Sequence, residues 1–268
     1  MKDRHDLYID IRKGNYINVY YFGASIAKIE MKRGQKQPSA QTHPKYLGYN
    51  DPMDSQYYEK RIDKKRNRTV YYPIYQDCGN ELEHHLDEML VRAYNVYVNR
   101  NNKESISPEN VSEKKIQGQI ITHSKPMYID SEFAHRYEED SQKTIRIDLV
   151  RIKNGKIQFV ELKRIQDNRM LHIDGEPEIL TQIHDYRTFL SANKELLKDY
   201  YKKLLKIKQD LKLPVPTVDM ENLDIDTIPV LLIADYQSDN ERRIHRRKEI
   251  ERILNAKDVV IEYADNYS

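Results

Sequence analysis

Asn154-Gly155 constrains this chain more than any other feature, because it fixes a strand register. Residues 145–152 alternate apolar and polar, Lys153-Asn154-Gly155-Lys156 follows, and residues 157–163 resume as a strand. This is the pattern of two antiparallel strands joined by a two-residue turn. With Asn154 and Gly155 as the loop, Lys153 pairs with Lys156, and counting outward sets Asp148 opposite Glu161 and Arg146 opposite Lys163. Asp148 and Glu161 fall on a non-hydrogen-bonded pair, whose Cβ atoms lie about 4.5–5.5 Å apart. At ~5 Å and an effective dielectric of ~20, two bare carboxylates repel by roughly 3 kcal/mol. That is a large share of the about 5–15 kcal/mol that keeps a whole chain folded. A divalent cation reverses the sign, since converging hard oxygen ligands are what Mg²⁺ takes. The hairpin therefore predicts a metal site, with the Lys163 ammonium on the same face.

A solvent-facing strand also carries charges at every second position, and Arg146 and Lys163 can neutralise both acids. Glu-x-Lys recurs at Glu30-Met31-Lys32 and Glu113-Lys114-Lys115, so the triplet alone decides nothing. Its neighbours do more. Gln182-Ile183-His184-Asp185-Tyr186 lies in an amphipathic helix whose stripe is Ile179, Ile183, Tyr186 and Leu190, with Gln182 and Tyr186 as i,i+4 neighbours. Upstream, Asn80 can cap a helix reaching about Tyr97, with Leu82, Leu86, Met89, Leu90, Ala93 and Tyr97 as its buried stripe. On a helical wheel Glu83 lies at the edge of that stripe, whereas Glu81 and Glu88 point away. Glu83 is the acid expected to look inward, with Glu81 as the fallback.

Taken in order, Gly79-x-x-x-Glu83 on a helix, Asp148 in a hydrophobic strand, Glu161-Leu162-Lys163 in the next and Gln182-x-x-x-Tyr186 on the following helix resemble the PD-(D/E)XK nuclease superfamily, in its RecB-like branch. The resemblance covers roughly residues 69–263. It departs from the pattern in that Ile147, not proline, precedes Asp148. It implies a restriction-endonuclease-like core and metal-dependent hydrolysis of phosphodiester bonds, DNA being favoured over RNA, in defence, repair or mobile-element processing. One or two Mg²⁺ or Mn²⁺ ions would be held by Asp148, Glu161, the Leu162 backbone carbonyl and Glu83. Lys163 would orient the attacking water and stabilise developing negative charge. Gln182 and Tyr186 would position Lys163 or a backbone phosphate, unless they serve helix packing alone.

The wider organisation reads as α/β: a mixed central sheet flanked by helices over residues 69–268, preceded by a small β-rich module and basic linker over residues 1–68. Residues 7–33 alternate as a three-stranded meander, and residues 34–68, with Pro38, Pro44 and Pro52, read as a wrap or link. Helices are expected over 193–212 and 240–254, a buried strand over 229–234 and a last strand over 259–263. The net charge of +2 leaves no global basic field, so nucleic-acid affinity must come from local patches. The preferred one is Lys60, Arg61, Lys64, Lys65, Arg66 and Arg68; Lys202, Lys203, Lys206 and Lys208, and the arginine-rich run 242–248, are alternatives that also fit solvated faces.

A single cysteine, Cys78, excludes an internal disulfide. No stretch of about 18 apolar residues is present to span a bilayer, which points to a cytoplasmic protein without a membrane partner. The 21 tyrosines are spread along the chain, as half-buried packing residues are. Two other functions stay open: a catalytically silent nucleic-acid- or partner-binding module with the same fold, and a ribonuclease. A separate partner chain or a homodimer is compatible with either.

Overall fold

The computed structural model describes residues 6–47, 58–63, 67–76, 80–97, 113–137, 144–171, 175–235 and 240–264. The chain divides into two compact units, Met1–Thr122 and His123–Ser268. Mixed α/β architecture results, with one sheet in each unit. Among the described residues no helix is long and apolar enough to cross a membrane.

The first unit contains β1 (Leu7–Arg12), β2 (Tyr16–Tyr21), β3 (Ala24–Glu30), β4 (Ser39–Gln41), β5 (Tyr58–Asp63), β6 (Arg68–Tyr75), α1 (Asn80–Tyr97) and α2 (Glu113–His123). Its strands run in the order β1-β2-β3-β4-β6-β5, every neighbouring pair antiparallel. The expected meander is β1 to β3. Phe22 and Gly23, both at positive φ, make its second turn between the paired Tyr21 and Ala24. Gly23 is required for a further reason: a Cβ on it would lie 2.0 Å from the Lys114 carbonyl oxygen. A Cβ on Gly118 of α2 would lie 2.4 Å from the Gly23 nitrogen, so two backbones meet where only glycine fits.

The boundary expected after residue 68 is not where the chain divides. Residues 58–63, read as linker, form β5, which pairs along β6, and β6 also pairs with β4. The stripe of α1 then closes this sheet. Leu82, Leu86, Met89, Leu90 and Ala93 are buried in one cluster with Val19, Ile26, Ala27 and Ala40. Burying α1 there removes its apolar face from water at roughly 1.5–3 kcal/mol per large side chain. The helix thus belongs to the β-rich unit, not to the following one.

The second unit contains β7 (Tyr128–Arg136), β8 (Thr144–Lys153), β9 (Lys156–Arg164), α3 (Glu178–Ala192), α4 (Lys194–Asp210), β10 (Asp224–Ile225), β11 (Val230–Ala234), α5 (Glu241–Asn255) and β12 (Val260–Ala264). The sheet is mixed, in the order β12-β11-β9-β8-β7, with β10 against β9. β11 is fully buried and parallel to both β9 and β12, as a continuous apolar run requires. Ile179 and Ile183 of α3 and Ile250 and Leu254 of α5 pack with Leu231 and Ile233 of β11. Asn240 caps α5, its side chain accepting from the amides of Arg242 and Arg243.

Candidate active site

The hairpin forms with the register counted from its turn. Asn154 and Gly155 take φ of 53° and 71°, and the ladder runs from Lys153↔Lys156 to Leu149↔Val160. There it stops. The expected Asp148–Glu161 and Arg146–Lys163 pairs are not ladder pairs, because the strands part. β8 goes on pairing with β7 through Ile147 and Arg146, while β9 pairs on its other edge with β11 from Val160 to Arg164. Side chains bridge the fork that opens. The Leu162 amide donates to Asp148 Oδ2 at 2.9 Å, and the Tyr186 hydroxyl donates to the Arg146 carbonyl.

Glu161 and Lys163 point into this fork from one face of β9 and are 3% and 2% exposed. Lys163 Nζ is ion-paired with Glu161 Oε1, donates to the Leu162 carbonyl at 3.0 Å and lies 3.9 Å from Asp148 Oδ2. Asp148 and Glu161 are themselves within hydrogen-bonding reach. α3 supplies the remaining contacts. Gln182 Nε2 donates to Glu161 Oε1 at 2.6 Å and to the Tyr186 oxygen at 2.5 Å, and that hydroxyl is 2.9 Å from Glu161 Oε2. The spacing of Gln182 and Tyr186 by four residues is what lets both reach one carboxylate.

Burial, and then the charge of Asp148, push Glu161 up to about 7. Burial also raises Asp148 above the usual carboxylate range, with Lys163 opposing and Glu132 adding to the rise. Tyr186 is raised by burial and by the Glu161 charge, so it stays a neutral hydroxyl. At about 4 Å and an effective dielectric of ~20, Lys163 attracts each acid by roughly 4 kcal/mol. The two attractions together exceed the repulsion of acids about 3.5 Å apart, roughly 5 kcal/mol at the same dielectric, so one ammonium holds the acids together while leaving a net negative charge.

Glu132 was not expected. It stands on β7 between the pairs Ser131↔Leu149 and Phe133↔Ile147, hence across from Asp148, with φ of 49°. A register shift between Tyr128 and Asp130 hides it from alternation counting. Its only sequence signal is the acidic Asp130-Ser131-Glu132 in the strand before Asp148.

The second unit by itself brings together Asp148, Glu161, Leu162, Lys163, Gln182 and Tyr186. Glu83 lies on α1 in the first unit and is exposed, as is Glu81. The inward view expected for Glu83 fails because a residue at the stripe's edge still faces water. Gly79 lies outside the described residues.

Of the preferred basic patch, Lys60 and Arg61 are exposed on β5 rather than in a linker, Arg68 begins β6, and Lys64, Lys65 and Arg66 lie outside the described residues. The alternative patches are partly structural. Lys208 is buried with Nζ donating to the Ile129 carbonyl, Arg243 pairs with Asp235 at 3.0 Å, and Arg246 donates to the Ile165 carbonyl at 2.5 Å. A groove of about 560 Å³ adjoins the acid cluster, lined among others by Arg146, Arg169, Thr181, Gln182 and Tyr186.

Comparison of the chain with protein-family models, with curated proteins and with solved structures finds no match.

Proposed function

We propose that the second unit is a metal-dependent phosphodiesterase, a nuclease of PD-(D/E)XK type with DNA as its favoured substrate. The observation that carries this reading is the fork between β8 and β9, where two carboxylates, a backbone carbonyl and a buried ammonium converge.

The donor set fits a hard divalent cation. Asp148, Glu161 and the Leu162 carbonyl offer oxygen only, which suits Mg²⁺ or Mn²⁺ and not softer metals. Both acids are held above their ordinary range chiefly by burial, with Asp148 adding to the rise at Glu161 and Glu132 to the rise at Asp148, a penalty that a bound cation reverses. Asp148, Glu161 and the Leu162 carbonyl would hold the ion. When bound, it supplies a hydroxide-like nucleophile and neutralises charge on the scissile phosphate.

The chain's own groups do the rest. Lys163, fixed by Glu161 and the Leu162 carbonyl, presents positive charge where negative charge develops on a phosphate oxygen. Gln182 and Tyr186 hold both oxygens of Glu161 in place, a positioning role. Arg146 and Arg169, on the adjoining groove, are suited to phosphates flanking the scissile bond.

A second reading rests on one feature: Lys163 and Gln182 already satisfy Glu161 Oε1, and the Tyr186 hydroxyl, shared with the Arg146 carbonyl, lies 2.9 Å from Oε2. A self-satisfied cluster suits a binding module whose acids are structural. Cleavage of labelled single-stranded DNA, duplex DNA and RNA with Mg²⁺ or Mn²⁺ decides between them, with EDTA, Asp148→Ala and Lys163→Ala as controls. Metal-dependent cutting lost in both variants, each still folded, is the expected result. Cutting that survives either substitution refutes the mechanism; no cutting, together with no heat on titrating Mn²⁺ into the wild type, leaves the binding module. Comparison of the three substrates also separates DNA from RNA, since the acids and Lys163 do not sense a 2′-hydroxyl.

A further inference from the structure

We propose that Arg246 is a positioning residue for the strand to be cut: it fixes the loop after β9 that presents Arg169 to the groove beside the acid cluster. This role rests on the phosphodiesterase reading and concerns how that site holds its substrate. The arginine-rich run 242–248 then serves the nucleic acid indirectly, not as a patch laid against its phosphates.

Past Arg164 the backbone leaves the ladder with β11. The Ile165 amide makes the last link, to the Ala234 carbonyl at 2.9 Å, and the carbonyls beyond it need other donors. One guanidinium supplies them. Arg246 Nε donates to the Ile165 carbonyl at 2.5 Å, while Nη2 is shared among the Gln166 carbonyl at 3.0 Å, the Asp167 carbonyl at 3.2 Å and Asn168 Oδ1 at 3.0 Å. Four successive residues thus converge on one planar fork, which a point-like ammonium cannot replace. Arg243, on the same face of α5, grips the Asp235 carbonyl at 2.6 Å and its carboxylate at 3.0 Å, and Arg164 takes that carboxylate at 2.7 Å. α5 is tied in this way to the ends of β9 and β11, and the loop is braced against it.

The loop passes this order to the groove. Asp167 turns its carboxylate onto Arg169: Oδ1 accepts from the Arg169 amide at 2.9 Å and from Nε at 3.0 Å, and Oδ2 accepts from Nε at 3.1 Å and from Nη2. Burial works against the Asp167 charge, but the hydrogen bonds from Arg169, and the charges of Arg169 and Lys163, outweigh it and hold the carboxyl below its usual range. The loop therefore lies within electrostatic reach of Lys163. The Arg169 side chain is still 46% exposed and lines the groove with Arg146, Gln182 and Tyr186, the last two in contact with Glu161. The Arg146 guanidinium makes no hydrogen bond or ion pair among the described residues, so it brings charge to the groove, whereas Arg169 brings a donor already held in place. A donor ordered before the ligand arrives loses less freedom on binding.

The test uses the full chain. Affinity for labelled single-stranded and duplex DNA is followed by anisotropy at low salt in EDTA, where nothing is cut. The proteins are the wild type, Arg169→Ala, Arg246→Met, Arg246→Lys, the double variant of Arg169→Ala with Arg246→Met, and Arg242→Met, an equal loss of charge at an exposed position of the same run. Arg169→Ala should weaken binding about tenfold, as loss of a charge-assisted hydrogen bond does. Arg246→Met should come close to that loss, the double variant should lose no more than Arg169→Ala alone, and Arg242→Met should bind as the wild type. With Mn²⁺, Arg169→Ala and Arg246→Met should each raise KM and leave kcat unchanged, a split that lowered stability alone does not produce. Should Arg246→Met fail to fold in thermal unfolding, Arg246→Lys, which keeps the charge but not the planar fork, carries the same comparison. Wild-type affinity in the folded Arg246 variant, additive losses in the double variant, or an equal loss in Arg242→Met overturns the positioning role and leaves the phosphodiesterase reading standing. Arg169→Ala with wild-type affinity and KM overturns it too, and a wild type that neither binds nor cuts with Mn²⁺ sinks both.

Discussion

Replacing Glu161 by glutamine removes one buried charge while keeping the side chain's length and its place against Lys163, Gln182 and Tyr186. In the folded wild type the carboxyl is pushed up to about 7 from an ordinary 4.5, chiefly by burial. A shift of one unit corresponds to about 1.4 kcal/mol, so the difference amounts to about 3 kcal/mol as an order of magnitude. The sign follows from proton counting. Between those two values the folded state binds a proton that the unfolded chain has released, so stability falls as pH rises. The contribution is fully present below about 4.5 and is lost by the time pH has climbed through about 7. Urea unfolding in EDTA, followed by circular dichroism between about pH 5 and pH 8, should show the wild type losing about 3 kcal/mol more than Glu161→Gln. Adding Mg²⁺ or Mn²⁺ near pH 8 should restore the wild type and leave the variant unmoved, because the cation replaces the lost proton as counter-charge. Parallel curves for the two proteins would show that the burial of Glu161 is not felt, and the electrostatic account of the fork would fall with them.

Three further outcomes are expected. Tyr186→Phe deprives the Arg146 carbonyl and Glu161 of a hydroxyl; stability should drop by about 1–3 kcal/mol and cleavage should weaken without vanishing, whereas full retention of both removes its positioning role. Gly118→Ala places a methyl 2.4 Å from the Gly23 nitrogen; as two backbones must separate, thermal unfolding should show a loss of about 3 kcal/mol or more, and a neutral result would contradict the close approach. Glu262→Gln leaves Arg151, 3% exposed, without the carboxylate that it grips at 2.6 and 2.9 Å; about 3 kcal/mol should be lost in denaturant titration, and Arg151→Met in the same background should recover part of it.

Local chemistry made much of the second unit legible, and competition between partners hid the rest. Asn154-Gly155 set the hairpin register because both residues accept positive φ, and the apolar run of β11 could only be a strand buried on both faces. Helical spacing put Gln182 and Tyr186 on one side of α3, but their partner is Glu161 and not the Lys163 or backbone phosphate that the resemblance implies. Counting outward from the turn failed at Asp148, however, because a register argument assumes that two strands stay paired. β9 has two edges, and past Val160 its ladder with β11 sets its course while β8 follows β7. Nothing in residues 145–163 encodes that competition, which is settled by strands at 128–136 and 230–234. The same limit applies to α1. Its stripe from Leu82 to Ala93 is legible in the sequence, with Tyr97 outside the described side chains, yet which sheet receives it depends on β2 to β4, and Glu83 at the edge of that stripe faces water. Glu132 is the converse case: a strand residue that alternation misplaces because a register shift precedes it and its own backbone is left-handed. The fork gathers its charges because the ladder ends there. Amides and carbonyls released from strand pairing need polar partners, and Asp148 and Tyr186 supply them. Parting strands thus create both the demand for buried polar groups and the space in which a cation and a phosphate would fit.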